Sequence, residues 1–125
     1  MKWERLKSSK DILRLFSAGS SHLSHPILMK WELNPKSESP NILFTTAVSA
    51  KRIKRAVDRN LIKRRMREAV RIDLKNRPQL TEKLPSEELM VIYIFLGKEP
   101  ADYREIEKSI KKLHNKLFRE ISRGG

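Results

Sequence analysis

The chain has 125 residues, 28 Lys and Arg against 15 Asp and Glu, a formal net charge of +13 and no cysteine. That length holds one domain with a core of its own and is too short for two. Disulfides and thiolate metal sites are excluded, no apolar run approaches the roughly 20 residues that span a bilayer, and the charge points to a polyanionic partner, nucleic acid before membrane.

The opening MKWERLKSSKDILRLF is too charged for a secretory signal, so a cytoplasmic protein is expected. Ser9 to Ala18 reads as a short helix. Ile12, Leu15 and Phe16 recur at helical spacing, Ser8 or Ser9 can cap the start, and Gly19 is a plausible stop. Trp3 and Leu6 precede it as anchors. Ser20 to Pro26 has turn composition. Ile27 to Leu33 then alternates: Ile27, Met29, Trp31 and Leu33 share one face, and Leu28, Lys30 and Glu32 take the other. That is a half-buried strand. A polar connector with two prolines, 34–41, leads to a second alternating strand, Ile42 to Ser49.

The stretch from Lys51 to Arg71 holds ten cations against Asp58 and Glu68 alone, a net +8 of the chain's +13. At about 100° per residue, a helix starting at Ala56 puts Arg59, Asn60, Lys63, Arg64, Arg67 and Arg71 in one sector. Val57, Leu61, Ile62, Met66, Ala69 and Ile72 fall opposite, and Arg65 marks the edge of the apolar side. The helix should end near Asn76, before Pro78. A loop follows, then LMVIYIFL (Leu89 to Leu96), a buried strand. Asp102, with Glu105 three residues on, caps a last helix whose stripe is Tyr103, Ile106, Ile110, Leu113, Leu117 and Ile121. The end from Ser122 reads as frayed. The result is one α+β or α/β layer in which the basic helix is a crossover with its apolar side on the sheet.

Cations stacked at i and i+4 rise about 6 Å per step, close to the spacing of phosphates along a strand. Arginine forks can take phosphate oxygens bidentately, and Asn60 can read a base edge or ribose hydroxyl. The other chemistry-bearing residues do not converge. Asp11, Asp58, Asp73 and Asp102 are scattered, so a self-contained nuclease is not expected. His22, His25 and His114, without cysteine or an acidic pair, make a poor metal signature and read as surface or turn residues.

Arg59, Asn60, Lys63 and Arg64 reproduce an R-N-x-x-K-R core that resembles the bacterial ribonuclease P protein family. Val48-Ser49, Lys51-Arg52, Ala56-Val57 and Arg67-Glu68 around it are similar too, as is the opening Arg5-Leu6-Lys7 with Asp11, Phe16 and Gly19. The resemblance covers nearly all of residues 1–125, as one domain. It implies an α/β sandwich of order αβββαβα, with a four-stranded sheet and a left-handed βαβ crossover through the basic helix. The additional strand would lie around Ser21 to His25.

The resemblance also implies a cofactor of a ribozyme. The RNA subunit cleaves precursor tRNA to release the 5′ leader and needs Mg²⁺. The protein alone is expected to be inactive, to bind no cofactor or small-molecule ligand, and to meet no membrane. Its implied partners are the ribonuclease P catalytic RNA and the precursor tRNA leader. Lys51, Arg52, Arg55, Arg59, Asn60, Lys63, Arg64, Arg67 and Arg71 would meet the catalytic RNA. A cleft between the first helix and the sheet would take the leader, at Ile12, Phe16 and Lys30. Two of these depart from the family's aromatics: Ile12 on the helix and Lys30 on the strand. Phe16 itself is either a stacking platform or a core residue. A structural RNA-binding protein of ribosomal type is the alternative function, and a DNA-binding protein is a third; the latter lacks a helix-turn-helix arrangement.

Overall fold

The computed structural model describes residues 2–34, 41–78 and 88–124. The elements run β1 (Lys2–Arg5), α1 (Ser9–Ala18), β2 (Ser20–Ser24), β3 (Ile27–Asn34), β4 (Asn41–Val48), α2 (Ala56–Lys75), β5 (Glu88–Phe95) and α3 (Tyr103–Gly124). The strands form a mixed sheet in the order β1-β4-β5-β3-β2. The four strands β2 to β5 are those expected, with β2 where the resemblance put it. A short fifth strand, β1, pairs in parallel with β4 and adds an edge. Neither composition nor alternation in KWER marks it as a strand. The connectors at 35–40 and 79–87 lie outside the described residues.

β4 and β5 are parallel neighbours joined through α2, so α2 is the crossover the chain order required. β2 and β3 form an antiparallel hairpin that turns at His25-Pro26, and β3 pairs antiparallel with β5.

The two faces of the sheet are covered unequally. On one, Ile27, Met29, Trp31, Ile42, Phe44, Leu89, Val91, Tyr93 and Phe95 pack beneath α2 and α3. The alternation of β3 and the double apolarity of β5 both have their reason here, since β5 is central and buried on each side. The other face carries a smaller cluster of Leu6, Leu15, Met90 and Ile92 under α1, with Ile12, Leu43, Ala47 and Ile94 against it.

The caps are largely those expected. Ser8 Oγ accepts from the Asp11 N–H at 3.3 Å, and Gly19 N–H closes α1 onto Leu15 O. Asp102 Oδ1 accepts from the Glu105 N–H at 2.9 Å. The last helix continues through Gly124 and does not end at Ser122.

Candidate nucleic-acid interface

The loop that launches α2 is built before the helix begins. Ser49 O accepts from the N–H groups of Arg52 and Ile53, and Ser49 Oγ accepts from Lys51 N–H. Ile53 is buried and plugs the loop into the main core. Arg52 Nη1 donates to Leu96 O at 2.8 Å, tying the loop to the end of β5. Arg59 Nη1 donates to Ile53 O at 2.9 Å and Lys54 O at 2.8 Å. Arg59, expected on the RNA-facing side, is thus half-buried and fastens the loop. Both bonds use Nη1 alone, so the guanidinium anchors the loop through one of its three nitrogens.

The apolar side of α2 is rotated from the sequence expectation. Ile62, Met66 and Ala69 are buried as expected, and Val70, Asp73 and Leu74 join them. Val57 and Ile72 are 60% and 52% exposed, and Leu61 is only half-buried. The helix packs against both the sheet and α3, so its buried arc turns toward Val70 and Leu74 and leaves Val57 and Ile72 beyond its edge. Arg65 sits at the margin and donates to Ala101 O at 2.6 Å.

The rotation leaves the polar face intact. Asn60, Arg64, Arg67 and Arg71 are exposed, Lys63 is half-buried, and Lys51, Arg52, Lys54 and Arg55 are exposed at the helix start. Among the described residues, the only ion pair on this face is Arg55 with Asp58, at 3.9 Å. Its cations are therefore almost entirely uncompensated within the protein, on a helix pinned from behind.

The proposed leader positions come together at α1 and β3, but in different states. Phe16 is 43% exposed beside Leu13 at 68%, which excludes the core-packing reading of Phe16. Ile12 packs half-buried against the α1 cluster. Lys30 Nζ donates to Phe16 O at 2.5 Å, at the C-terminal end of α1. Arg14 pairs with Glu32 at 3.0 Å and so also ties α1 to β3.

One buried polar group departs from the sequence expectation. His114, expected at a surface or turn, is fully buried. Its Nδ1 lies 2.5 Å from Asp73 Oδ2 and its Nε2 lies 2.7 Å from the Tyr93 hydroxyl. Arg77 Nε donates to Asp73 Oδ2 at 2.6 Å, and Arg77 Nη1 to Asn115 Oδ1 at 2.7 Å. Burial depresses the His114 pKa, outweighing the pull of Asp73. Burial acts to raise Asp73, but His114 and Arg77 together hold its carboxyl below the usual range. Burial also pushes the Tyr93 phenol up. The consistent arrangement is an ionised Asp73, a neutral His114 donating from Nδ1, and Tyr93 O–H donating to Nε2. The signal was present in the sequence: His114 lies four residues after Ile110 and three before Leu117, inside the apolar stripe. His22 also differs from expectation. It lies in β2, half-buried and stacked on Trp31 at 6.4 Å, whereas His25 is exposed in the hairpin turn.

Among the described residues, no three His, Cys, Asp or Glu side chains group as ligands of one metal ion. Nor is any described helix long and apolar enough to cross a membrane.

The family model named Ribonuclease P matches residues 1–118. A "Ribonuclease P protein component" of Porphyromonas gingivalis strain ATCC 33277 is 27% identical over 113 residues, covering 89% of this chain and 80% of that protein. The fold is similar to that of the RNase P protein of Staphylococcus aureus, with a TM-score of 0.63 and 20% identity, over 90% of this chain and 94% of the other. It is equally similar to the Thermotoga maritima RNase P protein, with a TM-score of 0.63 and 22% identity, over 92% and 96%.

Proposed function

The chain belongs to the ribonuclease P protein family, and from that premise we propose that it is the RNA-binding subunit of ribonuclease P, which assists a catalytic RNA in removing the 5′ leader from precursor tRNA. The observation that carries this reading is the uncompensated face of Asn60, Arg64, Arg67 and Arg71 on a helix whose back is locked to the sheet. A face with so little opposing charge pays in self-repulsion and is suited to phosphates. In this reading the RNA and its Mg²⁺ carry the chemistry. The protein supplies fixed cations and, at Asn60, a directional donor and acceptor. The leader would run past Phe16, whose exposed ring can stack on a base.

Reconstitution tests the proposal. The protein alone should leave precursor tRNA intact. With a bacterial ribonuclease P RNA at limiting Mg²⁺ it should restore leader removal, and unchanged cleavage would overturn the reading. Arg64→Gln and Arg67→Gln should each lower the salt slope of RNA binding by about one unit if each meets a phosphate. Asn60→Ala removes no charge, so a loss of affinity there reports hydrogen bonding and not field strength.

A further inference from the structure

Beside the outward-facing column of α2, the chain forms a concave site that the sequence motif does not describe. Lys63, Arg67 and Arg71, at i, i+4 and i+8, line one wall of a cleft of about 420 Å³. The opposite wall comes from the sheet edge. Arg5, the last residue of β1, pairs with Phe44 of β4, and the next residue, Leu6, donates its N–H to Phe44 O at 2.9 Å. The short strand ends there, and Thr46, further along β4, borders the cleft with Phe44. Among the described residues, none of these four cations has a carboxylate within ion-pair distance or a hydrogen bond that occupies its donors.

Four unpaired cations around one concavity repel each other, and an anion relieves that repulsion. Guanidinium forks fit phosphate oxygens. At about 420 Å³ the cleft falls in the range of about 300 to 1,000 Å³ typical of small-molecule pockets, which is more room than a lone phosphate fills. The rest of the lining is not cationic: the edge of Phe44 is apolar, and the Thr46 hydroxyl both donates and accepts. A base-paired strand offers phosphates and ribose hydroxyls but keeps its nucleotides stacked, whereas unpaired RNA can splay a whole nucleotide into a pocket.

We propose that this cleft seats one unstacked RNA nucleotide, its phosphate held by Arg5, Arg67 and Arg71 and its ribose 2′-hydroxyl by Thr46. The site rests on the RNA-binding reading above and deepens it. It makes β1 an RNA-contacting strand and gives the protein a way to prefer RNA over DNA at one position.

The full chain, labelled with ¹⁵N, is titrated with 5′-AMP, 2′-deoxy-5′-AMP and inorganic phosphate. The amides of Thr45, Thr46 and the Arg67 turn should shift with 5′-AMP, and the deoxy analogue should bind about two- to tenfold more weakly, the range of one hydrogen bond. Thr46→Val, verified as folded by its own spectrum, should erase that difference. Arg5→Gln should lower the salt slope of ribonuclease P RNA binding by about one unit. Equal binding of ribo and deoxy nucleotides, or no shift at the cleft with any of the three probes, overturns the proposal. If Arg64→Gln lowers the salt slope and Arg5→Gln does not, the basic helix stands and the cleft falls. Failure of the unaltered protein to bind the RNA would instead overturn the broader reading.

Discussion

The two faces of the sheet do different work. The face under α2 and α3 carries a continuous buried cluster from Ile27 on β3 to Ile121 on α3. The face under α1 carries four buried residues and leaves Leu13, Phe16 and Leu23 exposed nearby. The thick face therefore fixes the helix that displays the cations, and electrostatic recognition gains from rigid placement. The thin face leaves apolar surface in contact with water, which is what a stacking site for unpaired bases requires. Deep burial and exposed apolar surface are divided between the two sides of one sheet, and substitutions on each side should separate stability from RNA binding.

The largest effect is expected inside the thick face. Asp73→Ala leaves the buried His114 Nδ1–H without its acceptor and Arg77 without its carboxylate. Breaking a buried pair typically costs 3–5 kcal/mol; Arg77 keeps Asn115 and the Lys111 carbonyl as partners, so about 3 kcal/mol is expected by chemical denaturation. A loss under 1 kcal/mol would show that the network adds little to this face. Its counterpart on the thin face is Phe16→Ala. Stacking is worth about 1–3 kcal/mol per base, so binding of leader-bearing precursor tRNA by the holoenzyme should weaken by that amount. Leaderless tRNA should bind as before and the fold should scarcely notice, since the ring is already 43% exposed. Equal weakening of both RNAs would remove Phe16 from the leader site.

A smaller effect is expected from pH, again confined to the thick face. His114 is held neutral in the fold, while an unfolded histidine takes up a proton near pH 6.5. The unfolded state then binds more protons, so stability present above that pH is lost progressively as pH falls toward the depressed folded value. Asp73 adds a second loss at lower pH, because its folded pKa lies below the unfolded one. Thermal melts from pH 7.5 to 5.5 should show a falling Tm in the natural protein. The trend should be flatter in His114→Gln, even though that variant starts less stable; parallel trends would place the titration elsewhere.

The sequence carried the elements whose reasons are local, and missed those whose reasons are not. Alternation in Ile27 to Leu33 and capping at Ser8 and Asp102 depend on neighbours within a few residues, and the structure has them. β1 depends on an edge some 40 positions away, with Trp3 opposite Ile42 and Arg5 opposite Phe44, so no window around Lys2–Arg5 could show it. The phase of α2 failed for a related reason. A helical wheel scores apolarity, but two packing partners rather than one set the buried arc, and they draw in Asp73 while leaving Ile72 out. The cationic residues were legible because exposure is their default. That Arg59 Nη1 anchors two loop carbonyls was not. The fold of a histidine into an apolar stripe similarly required knowing that a carboxylate and a phenol wait on other elements.

The smallest effect decides what Lys30 does on the thin face. α1 has no basic residue in its own last turn, and the Phe16 carbonyl is among those a helix end leaves without an intrahelical partner. Lys30 supplies the missing cation from β3. A charge at a helix C-terminus contributes about 0.3–1 kcal/mol. Lys30→Met keeps most of the apolar stem and removes the ammonium, so stability should fall by that amount. Hydrogen exchange should speed up in α1 and not in β3 or β5. If capping is the whole role, the salt slope of leader binding stays unchanged. A slope lower by about one unit would mean that the same ammonium also meets a leader phosphate. The Phe16 carbonyl takes one of the ammonium's three N–H donors, so the salt slope, and not the cap itself, separates the two roles.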